Sequence, residues 1–158
     1  MSLPYVYNFR ELIVYQKARS LAAAVFAASK SFPRDEMYSL TDQIRRSSRS
    51  IGANIAEAWA KRAYEKHFIS KLTDADGEQL ETQHWLEIGR DCGYLSVQQT
   101  AELMGRCEEV GRLLGKMISQ SDSFCRPNTL RESSPEYFVA LDDTQLPDRP
   151  TEHRPTEH

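Results

Sequence analysis

The sequence predicts an all-α fold, an antiparallel up-down four-helix bundle, and three observations carry that reading. Four successive segments repeat apolar residues at helical spacing. The breaks between them are short and marked by proline, glycine or a capping pair, which favours antiparallel neighbours. Alternation of β-branched and polar residues over four or more positions is missing, so nothing reads as a strand.

In the first segment Asn8 and Glu11 have capping-box spacing, with asparagine in place of serine or threonine, and Leu12, Tyr15, Ala18, Ala22, Val25 and Phe26 follow as the apolar pattern. A helix from about Phe9 to Ser31 is expected. Phe32-Pro33 ends it, because proline lacks the amide hydrogen and disfavours α geometry in the residue before it. An acidic connection, Asp35 to Ser39, leads to a second helix expected from Leu40 to about Arg62.

That second helix organises the chain. Leu40, Ile44, Ser47, Ser48, Ile51, Ile55, Ala58 and Trp59 fall on one side of it as a core-facing stripe. On the other side Arg45 and Arg49 border Gly52, Ala53, Ala56 and Ala60, a strip with almost no side-chain bulk. An ordinary solvated face carries long polar residues, whereas small residues let another backbone approach closely. The helix is therefore expected to pack on two sides, with Gly52, Ala53, Ala56 and Ala60 at a subunit contact.

A third stripe, Phe68, Leu72, Ala75, Gln79, Thr82 and Leu86, places a helix over roughly Tyr64 to Cys92, with Gly93 suited to a left-handed C-cap. Ser96 with Gln99 forms a capping box for the fourth, whose apolar positions are Leu103, Cys107, Val110, Leu114, Met117 and Ile118. It is expected to end near Ser121. At 158 residues one core is expected, and residues 1–121 form the helical domain. Residues 122–158 hold five of the seven prolines and are expected to be mostly disordered, with Pro135 to Leu141 apolar enough to dock.

Charge divides along the chain. Residues 1–121 carry sixteen Lys/Arg against fifteen Asp/Glu, and residues 122–158 four against eight, so the helical part is near neutral and the tail acidic. Within the former, residues 44–71 hold seven basic and two acidic groups, while residues 72–111 hold two and nine. The N-terminus lacks a signal-peptide pattern, no apolar run is long enough to span a bilayer, and the three cysteines are widely spaced. A soluble cytoplasmic protein without membrane association is expected.

Catalytic and metal chemistry find little footing. Glu81-x-x-His84 has the spacing used in di-iron bundles, but those need a second such motif and two further glutamates, and here both residues point away from the core stripe. Cys92 and Cys107 lie in or beside apolar stripes as packing residues. His67 and His84 lack nucleophile partners at motif spacing, and no glycine-rich phosphate loop occurs. No enzyme activity, metal or cofactor is expected. Trp59 and Trp85 read as packing anchors.

Phe9, Glu11-Leu12, Val14 and Gln16, then Phe32-Pro33, Glu36, Tyr38, Leu40 and Gln43, then Arg45-Arg46 and Ile51-x-x-Asn54-Ile55-Ala56-Glu57 carry a family resemblance. Phe68, Leu72, Ala75-x-Gly77, Glu81, Leu86 and Gly93-Tyr94-Leu95 continue it, over about Phe9 to Ile118. The chain resembles the four-helix-bundle proteins encoded in intervening sequences of bacterial 23S ribosomal RNA genes. That family includes the accessory variability determinant of diversity-generating retroelements, a homopentamer that associates with a reverse transcriptase and nucleic acid. The resemblance implies a homopentameric ring, with RNA or DNA and a reverse transcriptase as partners. Gly52 stands where the family commonly has proline, Ala58 where it commonly has glycine, and Glu78 where it often has serine.

The candidate contact residues are Arg45, Arg46, Arg49, Lys61, Arg62, Lys66 and Lys71. Repeated around a ring they would attract phosphates through counterion release. Local pairing is the alternative: Asp42 precedes Arg46 by four, Glu57 precedes Lys61 by four, and Arg45 and Arg49 could meet Asp74, Glu78 or Glu81 of a neighbouring subunit. Two functions thus stand open, a nucleic-acid-binding accessory factor and a protein-interaction scaffold whose charges serve assembly.

Overall fold

The structure, a computed structural model, describes residues 6–125. It consists of α1 (Ile13–Ser29), α2 (Leu40–Ala60), α3 (Glu65–Asp91) and α4 (Val97–Ser119), with short 3-10 turns at Phe9–Glu11, Arg34–Glu36 and Ser121–Ser123. No strand occurs among the described residues, and no helix there is long and apolar enough to cross a membrane. The expectations for residues 126–158 lie outside the described residues.

The first helix starts later than its capping pair suggests. Asn8 accepts a hydrogen bond from the Arg10 amide and donates to the Glu11 carboxylate, which also accepts from the Tyr7 amide. These bonds close one 3-10 turn, after which Leu12 is extended with φ −65° and ψ 125°. The break resets the phase of α1. Val14, Ala18, Leu21, Val25 and Ser29 are its buried face, while Tyr15 and Ala22 are half-buried and Phe26 is exposed. Leu12, Ala18 and Val25 of the expected stripe are buried, while Val14, Leu21 and Ser29 take the places expected for Tyr15, Ala22 and Phe26.

The other helices follow their patterns closely. In α2 the residues Leu40, Ile44, Ser47, Ser48, Ile51, Ile55 and Ala58 are buried, and Trp59 packs against the core at partial burial. All six expected positions of α3 are buried, including the polar Gln79 and Thr82. Gly93 has φ +76°, and the amides of Tyr94 and Leu95 both return to the Gly89 carbonyl. The Ser96 hydroxyl accepts from the Gln99 amide at 3.0 Å while the Gln99 side chain accepts from the Ser96 amide at 2.9 Å, a complete capping box on α4.

Around the core, α2 packs most extensively on α3, and α3–α4, α1–α2 and α1–α4 complete the circuit. Named bonds fix these pairings: Ser47 with Thr82 at 2.9 Å, Glu57 with Lys71 at 2.8 Å, and Lys17 with Glu109 at 3.1 Å. Packed residues continue past Ser121, the expected end of the helical domain. The Ser121 hydroxyl donates to Glu65 at 2.6 Å, and the Phe124 ring stacks on Phe68 with centroids 6.1 Å apart.

Candidate functional site

The seven cations singled out in the sequence do not form one surface. Two are tied to acids of their own chain. Arg46 meets Asp42 at 3.8 Å, as its spacing predicts. Lys71 bonds Glu57 at 2.8 Å and Asp74 at 3.5 Å, so Glu57 reaches across to α3 instead of pairing with Lys61 along its own helix. The hydrogen bond with Lys71 holds the Glu57 carboxyl below its ordinary range, and the same bond raises the Lys71 ammonium. Lys61, the C-cap of α2, forms no ion pair with Glu57 among the described residues, although its charge still helps to lower the Glu57 carboxyl.

A second group gathers where α2 turns into α3. Lys61 and Lys66 are exposed, and among the described residues no carboxylate lies within ion-pair distance of either. Between them Arg62 donates to the Trp59 carbonyl at 2.8 Å and lays its guanidinium 3.5 Å from the centre of the Trp59 ring. Tyr64 is 51% exposed, with its ring 5.6 Å from that of His67. Cations and aromatic faces therefore alternate over one short connection. Sequence reasoning took Tyr64 only as a helix start and weighed His67 only as a catalytic residue, although their three-residue spacing places both on one side of the chain.

The third group lies between α1 and α2. Phe26 is approached by the charged groups of Arg45 at 4.7 Å, Lys30 at 4.9 Å and Arg49 at 5.5 Å from its ring centre. Such contacts attract a cation to the negative face of the ring. Arg45 is held in place by donating from Nε to the Ser29 hydroxyl at 2.7 Å, and Ser29 in turn donates to the Phe26 carbonyl. Arg45, Arg49 and Lys30 have no carboxylate within ion-pair distance among the described residues.

Beside this cluster runs a groove of about 300 Å³, lined by Tyr15, Arg19, Arg49, Gly52, Ala53 and Ala56 among others. A Cβ on Gly52 would stand 3.6 Å from the Tyr15 ring, and Phe9 meets Tyr15 edge-on with centroids 4.8 Å apart. Three of the four small residues thus line the groove, and Ala60 lies outside it. Phe26 was missed as a member of this face because it was read as part of the α1 core pattern, and Lys30, the C-cap of α1, was not singled out. Asn54 bonds the Ser50 carbonyl of its own helix at 3.0 Å.

Opposite in sign is the outer face of α3. Asp74, Glu78 and Glu81 stand there together, and Glu78 is pushed up from the ordinary carboxyl value by partial burial and then by Glu81. Glu81 accepts from the Trp85 indole at 3.1 Å. Near the α3–α4 turn, Tyr94 donates to Glu36 at 3.2 Å, and Glu36 is lowered chiefly by its hydrogen bond from Ser39.

Fold and surface together define an all-α protein of four packed helices with a basic, aromatic end and a basic groove. The chain belongs to the 23S rRNA-intervening sequence protein family, whose model matches residues 10–116. It is similar to a solved protein of unknown function from the S23 ribosomal protein family of Bacteroides thetaiotaomicron, at 30% identity and a TM-score of 0.62 over 68% of this chain and 96% of that one. Among curated proteins nothing matches. The region matched by the family takes in all seven cations.

Proposed function

We propose that this chain is a non-enzymatic cytoplasmic accessory protein that associates with nucleic acid, built as an antiparallel up-down four-helix bundle and assembled as a homopentamer. The observation that carries the nucleic-acid reading is the α2–α3 connection. There exposed Lys61 and Lys66 flank Tyr64, His67 and the Arg62–Trp59 stack, which supplies charge for phosphates and π-faces for bases. Repetition around a ring multiplies such a patch, because linked weak contacts act at high effective concentration. A structured RNA or a duplex DNA fits this chemistry, and a reverse transcriptase is the partner protein the family resemblance implies.

Support for the antiparallel order comes from the cross-helix bonds. Ser47 pairs with Thr82 and Glu57 with Lys71, so advancing along α2 means retreating along α3. Ser20 with Arg106 and Lys17 with Glu109 relate α1 to α4 in the same sense. The non-enzymatic reading is supported at Cys107, whose thiol burial pushes up to about 12, far from a reactive thiolate at neutral pH.

The test is a salt series. Fluorescence anisotropy of the full chain with a labelled RNA hairpin and with duplex DNA should give affinity that falls linearly on a log-log plot against salt. Undetectable binding to both at low ionic strength overturns the reading. The second function, a protein-interaction scaffold, is favoured by the intramolecular pairing of Arg46 and Lys71, and it would then stand.

A further inference from the structure

We infer that the α1–α2 groove of one subunit receives the outer face of α3 from a second copy, with Leu80 entering the groove and Asp74 and Glu81 set against Arg45 and Arg49. The inference rests on the oligomeric reading above and assigns the two surfaces that meet. Leu80 is an apolar side chain 55% exposed on the outer side of α3, and solvating it is unfavourable. A Cβ built on Gly77, one turn before it, would meet nothing within 4 Å, so the surface beside Leu80 is open to an approaching helix. Asp74, Glu78 and Glu81 lie on the flank of α3 nearer α2, about 100° or more around the helix from Leu80; Asp74 reaches Lys71 at 3.5 Å, and Arg46 acts on Glu78.

The groove offers the complement. Its floor of Gly52, Ala53 and Ala56 leaves room for a branched aliphatic side chain, its walls are Tyr15 and Phe9, and its rim carries Arg49 beside Arg45 and Lys30. Those three cations are without an acid partner among the described residues, while the acids of α3 are in surplus. Charge of opposite sign and an apolar projection facing an apolar recess fit a second copy of this chain, whereas a nucleic acid has no aliphatic projection for the recess. The two surfaces differ, so the contact is heterologous. Head-to-tail contacts of this kind close into a ring when the rotation permits and otherwise extend as a filament.

Charge exchange tests it on the full chain by size-exclusion chromatography with light scattering. R45E/R49E and D74R/E81R should each weaken association by roughly tenfold or more, in line with measured couplings of close interfacial charges. Combining all four substitutions should restore assembly. Leu80→Asp, at an exposed position independent of the arginines, should dissociate the oligomer while the helical circular dichroism is unchanged. A monomeric wild type would remove the oligomeric reading itself. An oligomeric wild type whose mass is unaffected by both charge exchanges and by L80D would overturn only the assignment of these surfaces. So would dissociation by each charge exchange without recovery in the combination, or loss of RNA affinity in R45E/R49E with assembly intact.

Discussion

A Cβ on Gly111 of α4 would stand 2.9 Å from the side-chain nitrogen of Gln79 on α3, so that side chain would have to shift to admit one. Gln79 is buried and cannot simply swing away. Its nitrogen donates to Asp76 at 3.1 Å and its oxygen accepts from Gln83 at 2.7 Å. Displacing it breaks a bonded, buried amide, which costs about 1–3 kcal/mol. The gain in helix propensity on replacing glycine by alanine returns at most about 1 kcal/mol.

Gly111→Ala is therefore expected to destabilise the fold by about 1 kcal/mol net. Gly105→Ala and Gly115→Ala, where a Cβ would meet nothing within 4 Å, should instead stabilise by up to about 1 kcal/mol. Urea denaturation of the three variants checks the contrast. Equal effects at all three positions would remove the packing argument.

The Glu57–Lys71 bond gives stability a pH dependence at both ends. The Glu57 carboxyl is lowered from 4.5, so its contribution is present above that value and is lost as pH falls through the folded-state value. The Lys71 ammonium is raised from 10.5, so its contribution is present below that value and is lost as pH rises through the folded-state value. Glu57→Gln should melt lower than wild type at neutral pH, and the two curves should converge as the solution is acidified below the carboxylate range. Both groups are partly solvated, so added salt should narrow the gap.

Thiol chemistry should discriminate sharply among the cysteines. Cys92 is exposed, Cys125 is half-buried with its thiol raised first by burial, and Cys107 is fully enclosed. Under mildly alkaline iodoacetamide, mass spectrometry should find Cys92 modified first and Cys107 protected until the chain unfolds. Early labelling of Cys107 in the native protein would contradict the burial of α4 against the core.

At the basic end, Lys61→Ala and Lys66→Ala should each lower the slope of log affinity against log salt by about one for RNA or duplex DNA. Tyr64→Ala should weaken binding to single-stranded RNA by about 1–3 kcal/mol, the range for a stacked base, and leave the salt slope unchanged. Slopes that do not move in either lysine variant would detach this end from phosphate contact.

How much of this was legible beforehand differs from helix to helix for physical reasons. The α3 stripe was read completely because its period runs unbroken from Phe68 to Leu86, and the α4 start because Ser96 and Gln99 cap it locally. In α1 the helix restarts after an extended Leu12, and only Leu12, Ala18 and Val25 of the expected stripe are buried. The Glu57–Lys61 pairing failed because spacing along one helix is blind to a competing lysine on another. Arg45, Arg49 and the small residues were visible as a set, but Phe26 and Lys30, which complete it, come from α1 and its C-cap.

On α2, Arg49, Ile51 and Gly52 follow within four positions, yet Ile51 is sealed in the core while its neighbours border the outer groove. Rotating the helix by one residue would drive an arginine inward and leave an isoleucine in water. Random mutation should therefore reveal α2 as the least permissive segment of the chain, since few of its positions are without a duty and each duty forbids a different set of replacements.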